Sequence, residues 1–350
     1  AGTALTVNSG GTYDVDASDT IGSIAGAGSI DIAGSQILNV GGNNSSTSFT
    51  GVISGAGALT KSGSGTLTLS GTSTFTGATA ITAGKIAISS NAALGATNGA
   101  TTVSSGAALS ISGSITVAEP ITISGTGISS GGAIVFTGGA NTYSGAISLG
   151  ATSTIVSSSG TQTISGATNG GQILTITTSD DLVISGIVGG STELSSYTIN
   201  SSGDATINVN VKTSGNQSYT ASDGVALSGA RTFEGGTITF ASTTTGDNNL
   251  TITGNLDVDA AISGIAVLGV SGTSNLGANV SSTGTQTYTG AVTLSAAVTL
   301  TTTSDVITFS DTVNSANSTK RNLTLTTGSS STEINFNGIV GGSNSVGAIA

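Results

Sequence analysis

Three consecutive pieces of sequence decide the fold: Gly63-Ser-Gly-Thr-Leu-Thr-Leu-Ser-Gly71, Thr72-Ser-Thr-Phe-Thr-Gly-Ala-Thr-Ala-Ile-Thr-Ala-Gly84 and Lys85-Ile-Ala-Ile-Ser89. In each piece apolar residues alternate with small or polar ones, and a glycine closes the first two. Alternation with a period of two places the two kinds of side chain on opposite faces of a β-strand. We therefore expect short strands whose leucines (Leu67 and Leu69) face a core and whose threonines (Thr66 and Thr68) face solvent.

The same alternation continues along the whole chain, in Ala58-Leu-Thr60, Ile121-Thr-Ile123, Leu174-Thr-Ile176, Thr237-Ile-Thr-Phe240, Leu250-Thr-Ile252 and Leu323-Thr-Leu325. Short strands with glycine at nearly every boundary predict a β-solenoid, in which each coil stacks on the one before. The predicted class is therefore all-β, a parallel β-helix in the form of a single elongated rod. A string of β-sandwiches is the alternative, but it would need longer strands and more large core aromatics than 7 Phe and 5 Tyr in 350 residues.

The dimensions of such a rod follow from strand spacing. If a coil takes about 22 residues and neighbouring coils lie about 4.8 Å apart, the chain makes about 16 coils and extends roughly 75 Å. A solenoid end exposes unpaired strand edges, so we expect the chain to be a fragment of a longer protein or to join another copy of itself.

Composition excludes several kinds of chemistry. The sequence has no Cys and no His, so it offers no thiol nucleophile, imidazole base, Cys/His zinc site or disulfide. Thr, Val and Ile favour strands over helices, so we expect almost no helix. Six basic residues spread through a chain of net charge −11 argue against nucleic-acid binding, and the sequence lacks an apolar run long enough for a membrane span.

A longer repeat is visible in the second part of the chain. Tyr143, Tyr219 and Tyr288 stand in similar contexts and at comparable intervals. Each is followed by an apolar strand and then by a Gly-Ile turn, in Gly186-Ile-Val-Gly-Gly190, Gly264-Ile265 and Gly338-Ile-Val-Gly-Gly342. We therefore divide the chain into a first region, 1–140, and three homologous units of about 70 residues, 141–214, 215–283 and 284–350, that continue the same solenoid.

The stretch from about Thr20 to Gly95 resembles the autotransporter-associated β-strand repeat of very large bacterial surface proteins. The resemblance rests on Ile21-Gly-Ser-Ile-Ala-Gly-Ala-Gly28, Phe49-Thr-Gly-Val-Ile-Ser-Gly-Ala-Gly57, Leu59-Thr-Lys-Ser-Gly-Ser-Gly-Thr-Leu-Thr-Leu-Ser-Gly71, Phe75-Thr-Gly77 and Ala83-Gly-Lys-Ile86. The Gly-Ile-Val-Gly-Gly turns look like repeats of giant haemagglutinin-like adhesins. These resemblances imply a right-handed parallel β-helix passenger that is exported across a Gram-negative outer membrane. They bring no catalytic residues to this chain.

Several groups of residues could form sites but also have structural explanations. Acidic pairs that could serve a β-helix glycosidase or lyase are Asp14/Asp16, Asp180/Asp181 and Asp257/Asp259, but without a basic cluster beside them in sequence they are better explained as surface or turn residues. The same carboxylates could hold an incidental Ca²⁺. The glycine pairs 26/28, 55/57, 63/65 and 125/127 are interpreted as corners, and the three tyrosines as equivalent core or edge residues. Thr66/Thr68 and Thr175/Thr177 match an ice-binding pattern only locally.

We therefore name no catalytic, cofactor or metal residue, and expect no enzyme activity. The first hypothesis is a structural, filament-forming or matrix solenoid, extracellular or on the bacterial surface, whose partner is another copy of itself. The second is an adhesin passenger that binds glycans or other cells, which an exposed aromatic and polar cluster would favour. The third is a β-helix carbohydrate-active enzyme, which would require several carboxylates and bases in one groove.

Overall fold

The computed structural model describes residues 2–303, 305–328 and 333–350. The chain forms two compact units, one ending at Asp180 and the other beginning at Asp181. In both units the chain changes direction between consecutive strands. Each strand pairs in parallel with a strand one coil away along the chain. Each unit is therefore a parallel β-solenoid, and the predicted all-β class is confirmed.

The first unit contains two long parallel ladders and two short ones. One long ladder comprises Ala4–Val7, Ser23–Gly26, Thr47–Phe49, Thr66–Leu69, Lys85–Ile88, Ala108–Ile111, Ile134–Phe136, the end of Ile147–Ser157, and Ile173–Thr178. The other comprises Asp19–Ile21, Ile37–Val40, Ala58–Lys61, Thr79–Ile81, Thr101–Val103, Ile121–Gly125, the beginning of Ile147–Ser157, and Thr168–Asn169. The short ladders are Thr12–Val15, Ser29–Ile32 and Val52–Gly55, and Thr116–Val117, Thr142–Tyr143 and Gln162–Ile164.

The second unit has three ladders. The first comprises Ser196–Ser201, Gln217–Ala221, the end of Arg231–Phe240, the end of Leu250–Val258, Ser274–Leu276, Val292–Leu294 and Val313–Ser315. The second comprises Val211–Lys212, the beginnings of Arg231–Phe240 and Leu250–Val258, Leu268–Val270, Gln286–Tyr288, Ile307–Phe309 and Ile334–Phe336. The third comprises Leu182–Ile184, Asp204–Ile207, Gly224–Leu227, Thr244–Gly246, Ile262–Ile265, Val280–Ser282, Val298–Thr302 and Leu323–Thr327.

Coil length varies from place to place along the chain. In the first unit Leu69 lies beside Ile88 and Ile88 beside Ile111, so the second of these coils is the longer one. In the second unit Leu256 lies beside Ser274 and Ser274 beside Val292, so these two coils are equal and shorter than both of the others. A shorter coil has shorter corners between its strands, which explains how the spacing in sequence changes while the register is kept.

Alternating burial confirms the predicted core. Leu67 and Leu69 are 1% and 2% exposed, whereas Thr66 and Thr68, which alternate with them, are half-buried. The helical content is as low as expected, because the described residues contain a single 3₁₀ turn, Ile128–Ser130, and no α-helix. None of the described residues forms a helix with the length and apolar character needed to cross a bilayer.

The glycine pairs lie at corners, as predicted, and their two members have different roles. The first glycine of each pair has a left-handed backbone, as at Gly55 with φ 94°, a conformation that side chains with a Cβ rarely adopt. In the first three pairs the second glycine is required by close approach of the preceding coil. A Cβ on Gly65 would lie 2.3 Å from the carbonyl oxygen of Ser45. In the fourth pair Gly127 also has a positive φ, of 78°. The first three pairs therefore turn the chain and let two coils meet.

The importance of close coil contact can be tested at Gly166. A Cβ at this buried position would lie 1.7 Å from the carbonyl oxygen of Gly145 in the preceding coil, whereas a Cβ on exposed Gly171 would meet nothing within 4 Å. We expect Gly166→Ala to lower the free energy of unfolding by about 2 kcal/mol or more. Gly171→Ala, the matched control, should change it by less than about 0.5 kcal/mol. Urea titration measures both, and equal effects would contradict the close packing.

Candidate functional site

The first acidic pair lies on the outside of the first unit. Asp14 and Asp16 are both exposed, and Asp14 lies beside Asp31, its register partner in the following coil. Asp31 accepts a hydrogen bond of 2.7 Å from the Ser54 hydroxyl, one coil further on. Sequence reasoning missed Asp31, because the coil length that aligns it with Asp14 could not be read from the spacing of the acidic residues.

The adjacent residues Asp180 and Asp181 belong to different units, and each braces a neighbouring coil of its own unit. Asp180 accepts a hydrogen bond of 3.1 Å from the backbone N–H of Gly160, and Asp181 accepts one of 3.0 Å from the N–H of Asp204. At these corners a carboxylate oxygen accepts a backbone N–H, as a backbone carbonyl does within a ladder. This agrees with the interpretation of both residues as turn residues.

Asp257 is held between two coils of the second unit. Its carboxylate accepts a hydrogen bond of 3.3 Å from the Thr239 hydroxyl and one of 2.8 Å from the Asn275 amide. Asp259, two residues on, is exposed, and its pKa is raised by partial burial and by the negative charge of Asp257. Across the described ranges, no three His, Cys, Asp or Glu side chains are grouped so that they could hold a metal ion.

Tyr143, Tyr219 and Tyr288 are completely buried, which confirms the prediction of core packing. Tyr219 stacks on Phe240 with ring centroids 5.5 Å apart, and Tyr288 stacks on Phe309 at 5.4 Å. Each pair consists of register partners in successive coils, so equal placement in two coils brings the rings together. The two tyrosines nevertheless lie in different ladders of the second unit, so the interval between them is not a whole number of coils.

Tyr219 and Tyr288 are anchored by the same local network. The hydroxyl of Tyr219 donates to Oε1 of Gln217 at 2.8 Å, and the hydroxyl of Tyr288 donates to Oε1 of Gln286 at 3.0 Å. The Nε2 of Gln217 donates to the carbonyl of Glu234 in the next coil at 2.8 Å and to two oxygens of its own coil. The Nε2 of Gln286 makes the matching bonds, and its bond to the carbonyl of Thr301 in the next coil is 2.8 Å long. The Gln-x-Tyr motif is thus a module for closing a corner.

A related arrangement occurs in the first unit, with a different pair of amides. Asn141 and Gln162 are 1% and 0% exposed and lie side by side, with Nδ2 of Asn141 donating to Oε1 of Gln162 at 3.2 Å. The Nδ2 of Asn141 also donates to the carbonyls of Gly138 and Gly139. Gln162 donates to three corner carbonyls, the shortest bond being 2.6 Å to Gly160. Both amides therefore satisfy carbonyls at the bends that precede them.

Lys61, which is 1% exposed, also bonds to corner carbonyls, but through a charged side chain. Its ammonium donates to the carbonyls of Ser62 at 2.6 Å, Gly63 at 2.8 Å and Ala83 at 3.3 Å. Burial lowers the pKa of this lysine. We call Lys61, Asn141, Gln162, Gln217 and Gln286 the corner donors. Sequence reasoning did not single out these residues as donors, and the signal that could have found them is a long polar donor at an inward position of the alternation.

The threonine pairs do not form a regular array. The neighbours of Thr66 and Thr68 in the next coil are Lys85 and Ala87, and the neighbours of Thr175 and Thr177 are Thr154 and Val156. Thr299 and Thr301 lie beside Thr324 and Thr326, but this correspondence joins two coils only. These positions therefore agree with a merely local ice-binding pattern.

One surface of the second unit combines an exposed apolar side chain with charges. In Gly186-Ile-Val-Gly-Gly190, Ile187 is 57% exposed while Val188 is buried. Beside it Lys212 forms ion pairs of 3.1 Å with both Glu193 and Glu234, from the two adjoining coils. Ile187, Lys212 and Glu234 line a shallow cavity of about 210 Å³. Such a surface could contact a partner through one apolar side chain and a short row of charges.

Comparison with protein families gives a match to a segment whose strands belong to two successive coils. Residues 59–88 match the model of the passenger-associated-transport-repeat. This segment is therefore similar to the repeats of transported passenger proteins. It includes Lys61 and ends with the strand Lys85–Ile88, which pairs with Thr66–Leu69 of the same repeat. Comparisons with curated proteins and with solved structures gave no match.

The passenger repeat allows a direct test of the charged corner donor. Lys61→Met keeps an unbranched side chain but leaves the three carbonyls without their donor, and we expect it to lower the free energy of unfolding by about 3 kcal/mol. Lys85→Met, at a half-buried outward position of the same repeat, is the matched control and should cost less than about 1 kcal/mol. Chemical denaturation followed by circular dichroism measures both, and a neutral Lys61→Met would show that the ammonium is dispensable.

The Gln-x-Tyr module predicts a result for Tyr288→Phe. Removing the hydroxyl leaves the buried Oε1 of Gln286 without its donor, which should destabilise the second unit by about 1–2 kcal/mol. Thr287→Val changes the outward residue between the two and should have a much smaller effect. Tyr219→Phe should reproduce the cost of Tyr288→Phe, since its network is the same. Unequal costs for the two tyrosine variants would argue against a common module.

Proposed function

We propose that this chain is a non-enzymatic structural solenoid of the bacterial cell surface, a passenger segment that forms filaments or extracellular matrix. The passenger repeat at 59–88 supports export across the outer membrane of a Gram-negative bacterium and a location at the cell surface or outside the cell. In this proposal the solenoid performs the function by itself, because that function is to form an extended structure and to associate with other copies.

The observation that carries this proposal is the inward use of long polar side chains at the corners of the coils. The corner donors are at most 1% exposed, and their donor groups bond to backbone carbonyls, to buried hydroxyls or to one another. The repeated motifs of the sequence thus maintain the coil and are not presented to a ligand. Outward positions carry mainly small hydroxyl and amide side chains, which favour close contact between low-charge surfaces.

The partner in this proposal is another copy of the chain, joined through solenoid ends or edges. Parallel strands at an unpaired edge present N–H and C=O groups that a second copy can satisfy. Low charge density favours such association, since only 7% of residues are charged and repulsion between copies is weak. We propose that no cofactor is needed, with Ca²⁺ as an incidental ligand.

Electron microscopy of the purified chain over a range of concentrations tests the proposal. Filaments whose number rises with protein concentration are the expected result, with and without added Ca²⁺. Sedimentation velocity on the same samples should show species larger than one chain. Isolated particles at every concentration would contradict the filament proposal and favour a monomeric adhesin passenger.

The surface around Ile187 favours the adhesin as a second candidate. Its apolar side chain and the Glu193–Lys212–Glu234 row are the features that a binding partner could use. Glycan recognition through the tyrosine triplet is disfavoured, because all three rings are buried. Binding of the chain to bacterial or host cells should then fall in Ile187→Ser and persist in Ile173→Ser, a substitution of another exposed isoleucine. Equal binding by both variants would remove this candidate.

A carbohydrate-active enzyme remains the third candidate and has the least support. Both carboxylate oxygens of Asp257 accept hydrogen bonds from neighbouring coils, which suits a structural bridge better than proton transfer. Loss of polysaccharide turnover in Asp257→Asn would nevertheless establish enzyme activity, whereas an inert wild-type chain would exclude it for the polysaccharides tested.

A further inference from the structure

Glu119 is an isolated charge in an unusual place. It is the only acidic residue in the sequence between Asp31 and Asp180. The residue is nevertheless 3% exposed, and both carboxyl oxygens are buried without a hydrogen-bond partner. Burying a carboxyl without partners is costly, so its position calls for a physical explanation.

The stacking of coils shows what normally stands at this position. Thr79, Thr101 and Ile121 each donate a backbone N–H to the carbonyl of the next coil, at Ala100, Pro120 and Ala146 respectively. The residues that precede these acceptors are therefore equivalent. They are Gly99, Glu119 and Gly145, and the column continues with Gly57 and Gly77 before them and Gly166 after them.

Glu119 is thus the one side chain in a column of glycines. Those glycines are in tight contact, since a Cβ on Gly145 would lie 2.1 Å from the carbonyl oxygen of Glu119 itself. The coils on either side contribute no side chain at this column position, and the carboxyl occupies an interior corner beside them. A glycine there would fit the pattern of the column without any cost of burying an acid.

The charges around Glu119 are few. From 62 to 179 the only other titratable side chains are Lys85 and Tyr143. Tyr143, in the following coil, donates its hydroxyl to the backbone carbonyl of Glu119 at 2.7 Å, so this proton is not given to the carboxyl. The preceding coil, which contains Thr101–Val103, has no titratable residue between Asn91 and Ala118. Burial alone raises the pKa of Glu119 to about 7.

We propose that Glu119 is a proton-operated latch on the corner formed by residues 117–121. While the carboxyl is protonated it stays inside the coil and the corner is closed. When the proton is lost the carboxylate moves to solvent, and the corner opens with it. Opening needs no ligand or further reactant, because the proton passes to water.

The direction of the pH effect follows from proton binding. The closed corner holds its proton up to about pH 7, whereas an open, solvated Glu119 loses its proton near its ordinary value of 4.5. Between these values the closed form binds more protons, so the stability of the corner is full at low pH and falls as the pH rises. The equilibrium constant for opening should rise about tenfold per pH unit in this window, by roughly three hundredfold in all.

Hydrogen exchange with mass spectrometry on the full chain tests the latch. Peptides covering 115–123 should lose protection between pH 5 and pH 8 in the wild type, after correction for the intrinsic pH dependence of exchange. Glu119→Gln cannot ionise, so its protection should be independent of pH. Asp31→Asn, which neutralises an exposed acid in the same unit, is the matched control and should behave like the wild type.

Equal pH dependence in the wild type and in Glu119→Gln would overturn the proposal. If Glu119→Gln fails to fold, infrared spectroscopy of the wild type decides. With ¹³C-labelled glutamate, which marks four residues in this chain, one protonated carboxylic acid should be visible at pH 6 and should disappear by about pH 8.5. Absence of that band at pH 6 would mean that Glu119 is already ionised at that pH, and the latch would be wrong.

Discussion

The whole structure depends on satisfying backbone carbonyls at the corners of the coils. Along the strands, parallel ladders pair N–H and C=O groups from coil to coil, but at a corner the chain turns and some carbonyls face the interior. A buried carbonyl without a donor is costly. Lys61, Gln162 and Gln217 show how this chain meets the requirement, because each sends N–H groups inward to several oxygens at once. A short inward residue such as alanine could not reach them.

On the outside, asparagine meets the complementary requirement. The Oδ1 atoms of Asn216, Asn255 and Asn279 each accept the backbone N–H of a residue one coil on, at 3.0, 2.9 and 2.8 Å. Carbonyls facing inward are met by side-chain donors, and free N–H groups facing outward by side-chain acceptors. The chain can therefore vary its coil length without leaving these corner groups unpaired. This accounts for a composition rich in Gly, Ser, Thr and Asn, and for a surface on which acidic residues such as Asp181 and Asp257 serve as braces.

Much of the fold could be predicted from sequence because period-two alternation reports directly on strand faces. Leu67 and Leu69 were assigned correctly to the core, and the glycine pairs to corners, from local pattern alone. What the sequence could not supply is the phase of one coil relative to the next. Tyr219 and Tyr288 share a motif yet lie in different ladders, because coils of different length are mixed between them. The division of 141–350 into three units stays a prediction.

Because the phase of one coil relative to the next could not be predicted, the residues of greatest interest were not found from the sequence. Asp31 stands beside Asp14, and Glu119 stands in a column of glycines, only because particular coil lengths align them. Lys61 was visible as part of a repeat motif, but its burial follows from the inward parity of its strand. The similarity to passenger repeats was accessible from the residues, since the repeat motif at 59–88 is local in sequence.

The most direct test of this account is hydrogen exchange at the glutamine side chains. The chain has five glutamines: Gln162, Gln217 and Gln286 are corner donors, and Gln36 and Gln172 are only half-buried. In an NMR spectrum of protein labelled with ¹⁵N in the glutamine side chains, the account predicts three slowly exchanging NH₂ groups and two that exchange rapidly with water. Rapid exchange of all five would contradict it, because the corners would then be closed by some other means.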